Sequence, residues 1–448
     1  MSEGMPATSH YLGIHILSTT PTKEPHMSRR VYLAMLGTGN YEECLYALEG
    51  VEAQRTPYVQ VAGLELLDAK SFDAIYIIST NKAFSVHGKD LFEKIAEIAN
   101  KEPEKIVIND NVNDSAVYWD WLYQIVDCVR DDDQIVFDVT HGWRMFSVVF
   151  STAIHFIRKV RKATITHVLY GMFEQGQSKN TVFPIVNIVD FYAINEWADA
   201  IGRVVDMADT RKLAEMVGTA PDHQFGHLAD PTLVDALKQL GLCLTNINVN
   251  EVATVADKAL AVVKERMVGA TQAERLLLES VIKAFGELAG KQGEQHYDAT
   301  YYDLQQAIIK LLGKYGYFMQ AFTVMRECIG SLGMTWRYIN NDKKPKNSRI
   351  YAELFCRMLG NDEINWDFND DDKVQVDKLK SMKETMKDKW EDLSNFYRAL
   401  AKIRNGFDHA WTGTTMPPDI TAKAQAIIKR FGEIFPSISK IVCEHRQG

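Results

Sequence analysis

Four apolar runs in the first third of the chain each end in small or polar residues. They span residues 31–36, 74–79, 106–108 and 134–139. Runs that are apolar on both faces are typical of buried parallel strands. Between them lie apolar residues at three- and four-residue spacing, which is the pattern of a helix with one buried face. This alternation predicts a Rossmann-like parallel sheet covered by helices on both sides.

Three further patterns belong to the same predicted domain. Asp90 and Glu93 form a capping box, which predicts that a helix begins there. Residues 164–170 and 182–189 flank a polar turn and predict a closing hairpin. Another helix is predicted from an apolar stripe that consists of Met145, Val149, Ala153, Phe156 and Val160.

The strand pattern disappears after about residue 195. Thr271 and Glu274 predict a further capped helix, and apolar stripes continue through residues 304–311, 318–329 and 393–400. The predicted fold class is therefore α/β plus all-α. Residues 1–26 are expected to form an irregular extension, residues 27–195 the Rossmann-like domain and residues 196–448 a helical domain.

Composition narrows the classes of function. The 448 residues carry a net charge of −9, which argues against a protein that coats nucleic acid through its overall charge and leaves room for a small basic cleft. No apolar run approaches the roughly 18–20 residues of a membrane helix, and the first residues lack a secretory pattern. The six scattered cysteines are typical of reduced thiols. We therefore expect a cytoplasmic protein without a membrane partner.

Two predicted strands end in residues suited to binding an anion. One ends in Gly37, Thr38, Gly39 and Asn40, and another in Thr80 and Asn81. Ligands of open parallel sheets bind at the carboxyl ends of the strands, and glycines let backbone N–H groups approach an anion closely. The third glycine of a dinucleotide fingerprint is missing, because residue 42 is glutamate, and this disfavours a nicotinamide-dependent enzyme. A plain glycine turn from strand to helix is the simpler interpretation of this motif alone.

A third strand end carries a denser group of polar residues. Residues 138–144, DVTHGWR, close the fourth apolar run and open a predicted helix. The N-terminus of a helix attracts phosphate through its unpaired N–H groups and its dipole. A threonine, an imidazole, a glycine and an arginine at that place suit a phosphodiester ligand. The alternative is that Asp138 only braces the turn and His141 only packs.

Residues 138–142 resemble the DxTHG signature of a CRISPR-associated protein family with a CARF sensor domain. The preceding Gly-x-Gly-Asn turn is similar as well, and the resemblance covers roughly residues 27–197. It implies that the domain binds a cyclic oligoadenylate, most often the tetra-adenylate. The candidate ligand-binding residues are Gly37, Thr38, Gly39, Asn40, Thr80, Asn81, Thr140, His141, Gly142 and Arg144.

Residues 404–409, RNGFDH, fit the pattern R-x4-H with a polar residue after the arginine. This resembles the motif of HEPN nucleases, which the same family carries after its CARF domain, and makes Arg404, Asn405 and His409 the candidate catalytic residues. Histidine transfers protons near neutral pH, and arginine stabilises the charge of a phosphorane. Residues five apart on an unbroken helix diverge by about 140°. We therefore predict that Gly406 breaks the helix and brings Arg404 and His409 together, the alternative being a capped helix end with an exposed histidine.

Together the two motifs imply a ribonuclease of type III CRISPR immunity. In this family a homodimer binds the cyclic oligoadenylate as an allosteric activator, and two R-x4-H motifs form one composite site that cuts single-stranded RNA. Neither a metal nor another cofactor is expected, because the 2′-hydroxyl of RNA can attack its own phosphate and leave a 2′,3′-cyclic phosphate and a 5′-hydroxyl. A non-catalytic sensor whose helical domain binds a partner stays open as an alternative. Four basic side chains within residues 343–349 either contact RNA phosphates or are merely solvated.

Overall fold

The structure is a computed structural model. It describes residues 28–111, 113–142, 144–174, 177, 180–217, 225–291, 297–339, 349–366, 368–369 and 372–447. The extension expected over residues 1–26 lies outside the described residues, as do the side chain of Arg144 and the basic residues Lys343, Lys344 and Lys346. The chain divides into two compact units, of which the first ends at Tyr192 and the second begins at Ala193.

The first unit contains one sheet of eight strands. Its spatial order is β3-β2-β8-β7-β6-β1-β4-β5, in which β1 lies between β6 and β4. The run from β7 to β5 is parallel, as predicted, and so is the β2–β8 pair, whereas β7–β8 and β2–β3 are antiparallel. The strands are β1 Arg30–Leu36, β2 Leu45–Leu48, β3 Val51–Glu52, β4 Ala74–Ser79, β5 Glu104–Val107, β6 Gln134–Asp138, β7 Thr164–Gly171 and β8 Val182–Asn187.

Helices cover both faces of this sheet because its central strands are apolar on both sides. In β1, Leu33 faces a core that includes Trp121 and Phe146, and Tyr32 faces another core that includes Leu64 and Leu91. The predicted Rossmann-like α/β fold class is confirmed. The helices of this unit are α1 Val59–Leu66, α2 Asn81–Ala83, α3 Lys89–Ala99, α4 Ala116–Asp127 and α5 Arg144–Val160.

The segment after the first glycine motif differs from the simplest prediction. A short hairpin of β2 and β3 follows residues 37–40, where the pattern alone suggested a turn from strand to helix. Tyr46 and Leu48 are buried at alternate positions of β2, which is the period of a strand. Glu49 and Gly50 both have positive φ, and this conformation favours a tight two-residue hairpin turn.

Two helix predictions in this unit need correction. The helix predicted at Asp90 is α3, which begins at Lys89, but Asp90 does not cap it because the residues before it are already helical. The cap lies upstream at α2, where the Thr80 hydroxyl accepts a hydrogen bond from the Ala83 N–H at 3.0 Å. A π-helical turn, Phe84–Gly88, then joins α2 to α3.

The predicted stripe on α5 is only half right. Val149 and Ala153 are buried, but Met145, Phe156 and Val160 are exposed. The buried face is completed instead by Phe146, Phe150, Ile154 and Ile157. The helix therefore lies rotated relative to the prediction and presents apolar side chains to solvent.

Within its described residues the second unit is built from helices, as predicted, around one continuous core. The capping box of Thr271 and Glu274 is present at the start of α10. At the centre α12 packs against α11, α13, α15 and α16, and α13 approaches so closely that a Cβ on Gly333 would collide with the carbonyl oxygen of Tyr351. The helices are α6 Val189–Met207, which begins before the boundary, α7 Arg211–Val217, α8 Pro231–Thr245, α9 Val252–Arg266, α10 Gln272–Phe285, α11 Ala299–Lys314, α12 Phe318–Ile339, α13 Ile350–Gly360, α14 Lys373–Met386, α15 Asp388–Asp408 and α16 Ile420–Gln447.

Candidate functional site

A cleft of about 290 Å³ opens at the carboxyl ends of the central strands in the first unit. Strands β6, β1 and β4 are neighbours and parallel, so the residues that follow them meet at one edge of the sheet. Seven of the ten predicted ligand-binding residues line this cleft. They are Gly37, Thr38, Gly39, Thr80, Thr140, His141 and Gly142, joined by Met35, Leu36, Tyr41 and Ala83.

Two of the other three predicted ligand-binding residues do not line the cleft, and the side chain of the third, Arg144, lies outside the described residues. Asn40 lies exposed in the loop between β1 and β2. Asn81 is also exposed, and its side-chain oxygen accepts a hydrogen bond from Lys105 Nζ at 3.5 Å. Arg144 is the first residue of α5.

The turn at the end of β6 is braced by hydrogen bonds. Asp138 is buried, and its carboxylate accepts the Thr140 N–H at 3.0 Å and the Tyr32 hydroxyl at 3.2 Å. Burial raises the pKa of Asp138, and the bonds with Thr140 and Tyr32 oppose that rise. The hydroxyl of Thr140 in turn accepts the N–H of Gly171 at 2.8 Å. The Thr140 hydroxyl also hydrogen-bonds to the Asp138 carboxylate, so this side chain holds the turn from both sides.

Gly142 is required by the backbone at this turn. Its φ of +128° is strained for any residue with a side chain, and a Cβ there would collide with the sulfur of Met35. Helix α5 begins two residues later, so its unpaired N–H groups start beside the cleft. The sharp turn thus places a helix N-terminus where an anionic group can bind.

His141 is a polar side chain of the cleft that leaves one ring nitrogen without a hydrogen bond. Its Nε2 is buried and has no hydrogen-bond partner among the described residues. Burial lowers the pKa of His141, the Asp138 carboxylate acts against that change, and the neighbouring His87 adds to it. A neutral imidazole with an unpaired nitrogen is a group that a bound ligand can satisfy.

Two residues of this site were missed by sequence reasoning. The Tyr41 hydroxyl accepts the Gly37 N–H at 3.0 Å, and the Tyr41 ring packs edge-to-face on His141 and His87, with centroid distances of 4.9 and 4.6 Å. The His87 Nε2 lies 2.9 Å from the carbonyl oxygen of Gly39. Tyr41 directly follows the glycine motif and could have been included with it. His87 gave no signal, because the helix that carries it was expected to begin later.

The R-x4-H motif lies at the end of α15 in the second unit. Arg404 is 24% exposed, and its Nε donates to the Asp408 carboxylate at 2.6 Å. The helix continues through Gly406 to Asp408, so the prediction that Gly406 breaks it is wrong. Gly406 instead makes room for the ring of Trp411, which a Cβ would strike. Asp408 is a third residue that sequence reasoning missed, although its spacing of four from Arg404 is typical of a helical ion pair.

His409 is the residue that caps α15. Its N–H donates to the carbonyl oxygen of Asn405 at 3.0 Å, and its own carbonyl oxygen accepts the Thr412 hydroxyl at 2.9 Å. Asn405 and His409 are both exposed. Because the helix is continuous, Arg404 and His409 leave it in directions that differ by about 140°. One chain therefore presents the two groups on different sides of the same helix end.

Other features bear on ligands more generally. The six cysteines, all of them described, are free thiols, as predicted. In the described parts of the chain, no three histidine, cysteine or acidic side chains group as metal ligands do. Among the helices described, none combines the length and the hydrophobicity of a membrane span.

Comparison with known proteins gives a likeness among solved structures. No protein-family model and no curated protein matches the chain. This chain is similar to a solved structure of Enterococcus italicus Csm6 bound to cyclic hexa-2′-fluoro-hexa-dAMP. The alignment covers 94% of this chain and 100% of the Csm6 chain. The sequence identity is 11% and the TM-score 0.45. At these values we take nothing about ligand or activity from the likeness.

Proposed function

We propose that this chain is an endoribonuclease of type III CRISPR defence that a cyclic oligoadenylate activates. The observation that carries the proposal is the cleft of the first unit. Seven of the ligand-binding residues predicted from the sequence line it, at the ends of three parallel strands. Its DxTHG turn resembles that of CARF sensors, and the R-x4-H motif at the end of α15 resembles that of HEPN nucleases.

The sensor ligand is proposed from the chemistry of the cleft. The N-terminus of α5 favours a phosphate, and the unpaired nitrogen of His141 requires a partner. A ring of identical adenylates has rotational symmetry, so it suits two copies of this cleft related by a two-fold axis. The tetra-adenylate is the member of the class that we expect to activate best.

The dimer that this proposal needs finds support on α5. Met145, Val148, Phe156 and Val160 are all exposed on this helix, with between 41% and 57% of each side chain accessible. An exposed apolar stripe of this kind marks a surface that another protein covers. Helix α5 begins at the cleft, so covering this stripe with a second copy would bring two clefts near each other.

The nuclease chemistry is proposed for two chains acting together. His409 is exposed and supplies a proton-transfer group, while Arg404 supplies the charge that stabilises a phosphorane. One chain points these two groups apart. A composite site would therefore take Arg404 from one chain and His409 from the other. The attacking group is the 2′-hydroxyl of single-stranded RNA, so the products carry a 2′,3′-cyclic phosphate and a 5′-hydroxyl.

A second candidate function is favoured by one observation. The ion pair between Arg404 and Asp408 is what a purely structural arginine would form at a helix end. On that basis the chain would be a sensor whose helical unit binds a partner and cleaves nothing.

One experiment distinguishes the two candidates. The protein is incubated with a labelled single-stranded RNA and with each cyclic oligoadenylate in turn, in the presence of EDTA. The ribonuclease proposal expects cleavage that depends on one ring size and yields cyclic-phosphate ends. A ring that binds tightly without producing cleavage would favour the non-catalytic sensor.

A further inference from the structure

Residues 37–40 form a loop between β1 and β2 that is called the glycine loop below. In the part of the chain that the structure describes, the N–H groups of Thr38, Gly39 and Asn40 donate to no protein acceptor. No atom lies within 4 Å of a Cβ added at Gly39, so packing does not restrain that residue either. Glycine residues reach many backbone conformations. Side chains from outside the loop must therefore hold it if it is to keep one conformation.

Tyr41 and His87 hold the glycine loop at two points. The Tyr41 hydroxyl accepts the Gly37 N–H at 3.0 Å, and His87 Nε2 lies 2.9 Å from the Gly39 carbonyl oxygen. A carbonyl oxygen only accepts hydrogen bonds, so Nε2 carries the hydrogen and donates it. In a trans peptide the C=O and the following N–H point in opposite directions. The bond from His87 therefore also fixes the direction of the Asn40 N–H.

His87 stands on a well-packed support. It belongs to the π-helical turn Phe84–Gly88, whose Phe84 ring packs edge-to-face on Phe92 of α3 with centroids 5.2 Å apart. The same ring lies so close to Gly88 that a Cβ there would collide with it. Turns of this kind inside helices frequently occur at functional sites. The preceding residue Ala83 lines the cleft, so the support of His87 adjoins the ligand site.

The Tyr41 ring connects His87 to the cleft. It contacts the His87 and His141 rings edge-to-face, with centroid distances of 4.6 and 4.9 Å and interplanar angles of 84° and 87°. Tyr41 and His141 line the cleft, whereas His87 is not among its lining residues. Any effect of His87 on a ligand is therefore exerted through the glycine loop and Tyr41.

We propose that His87 is a positioning residue for the ligand of this cleft. By its bond to Gly39 it holds the glycine loop in one conformation, which leaves the unpaired N–H groups of residues 38–40 ready to bind a phosphodiester. A loop that is ordered before binding does not have to be ordered by the ligand, and this raises affinity. The inference rests on the proposed function and adds to it that a residue behind the cleft sets the affinity for the cyclic oligoadenylate.

The test separates the hydrogen bond of His87 from its ring. The amide nitrogen of glutamine is as many bonds from Cα as Nε2 of histidine, so His87→Gln keeps the donor and loses the ring. His87→Phe keeps the ring beside Tyr41 and loses the donor. Val86→Phe places the same new side chain at an exposed position of the same turn and is the matched control.

Isothermal titration of the full chain with cyclic tetra-adenylate and cyclic hexa-adenylate gives the affinities, and thermal melts of the same samples check the fold. His87→Gln should bind within about threefold of the wild type, and His87→Phe about tenfold more weakly, because binding must then order roughly one more backbone residue. Val86→Phe should bind as the wild type does. The melting temperatures should agree, since His87 is only half-buried and its bond lies in a surface loop.

The outcomes separate the role of His87 from the function itself. If the wild type binds a ring and His87→Phe binds it equally well, His87 does not position the ligand and the function stands. Tighter binding by His87→Phe would overturn the inference as well, because His87 would then compete with the ligand for the loop. A loss in His87→Gln as large as that in His87→Phe also contradicts it, since a retained donor would bring no benefit. A wild type that binds neither ring removes the sensor proposal together with this inference.

Discussion

The two glycines Gly142 and Gly39 line the same cleft, yet they should respond very differently to substitution by alanine. At Gly142 the φ of +128° penalises any side chain, and a Cβ would also displace the sulfur of Met35. At Gly39 no atom lies within 4 Å of an added Cβ, and the backbone is not in the left-handed region. Gly142→Ala therefore strains the fold, whereas Gly39→Ala changes only the surface of the cleft.

The expected loss of stability for Gly142→Ala follows from two costs. A residue held at an unfavourable φ costs about 1–3 kcal/mol, and moving a packed side chain such as Met35 adds about 1–3 kcal/mol. We expect the free energy of unfolding to fall by roughly 3 kcal/mol, which for a unit of this size lowers the melting temperature by about 6–12 °C. Gly39→Ala should stay within about 0.5 kcal/mol of the wild type.

Two assays on the same protein preparations check this. Differential scanning calorimetry gives the melting temperatures, and isothermal titration with the activating cyclic oligoadenylate gives the affinities. Gly39→Ala should melt as the wild type does and bind the ligand more weakly, because the added methyl group keeps a phosphate away from the backbone. Equal melting temperatures for Gly142→Ala and Gly39→Ala would refute the conformational argument for the DxTHG turn.

Three further predictions concern the two sites. Thr140→Val should lower the free energy of unfolding by about 1–3 kcal/mol because the Gly171 N–H loses its acceptor, while Thr140→Ser should not; thermal melts compare them. Burial depresses the pKa of His141 below 6.5 and a bound phosphate would raise it, so binding takes up a proton and ligand affinity should increase as pH falls below 6.5. His141→Gln should flatten that dependence in titrations between about pH 5 and 7. The same depressed pKa means that the free protein loses stability over this window as pH falls, since the unfolded chain binds the proton more readily. Arg404→Lys should cut the maximal RNA cleavage rate by roughly two decades, or about 3 kcal/mol, and leave the melting temperature nearly unchanged because lysine can keep the partly exposed pair with Asp408. A normal rate with a large drop in melting temperature would instead identify Arg404 as a structural brace.

The sheet and its ligand edge could be predicted because their signals are local and strong. Strands that are apolar on both faces must be covered on both faces, and parallel strands bring the residues after them to one edge. These two rules alone place Thr38, Thr80 and Thr140 in one cleft. The helices of the second unit's described residues were predictable for the same reason, from apolar stripes and the capping box at Thr271.

What escaped prediction depends on contacts between distant residues. The rotation of α5 about its axis follows from how Phe146 and Phe150 pack against the sheet. Because this helix carries apolar residues on more than one face, its sequence alone does not determine which face is buried. His87 reaches Gly39 only because a cap at Thr80 and a π-helical turn extend the helix upstream. Gly406 suggested a helix break, but its missing side chain accommodates Trp411 instead. In each case tertiary packing overrides a local preference.

The central claim is that a cyclic oligoadenylate switches on an RNA cleavage site that contains His409. The most direct measurement compares wild type and His409→Ala, in EDTA and at saturating activator, for cleavage of a labelled single-stranded RNA and for activator binding in the same samples. We predict that the substitution abolishes cleavage and leaves both activator affinity and melting temperature unchanged, because His409 is exposed and lies in the other unit from the cleft. Cleavage by His409→Ala near the wild-type rate, or cleavage by the wild type that does not depend on the activator, would contradict the account.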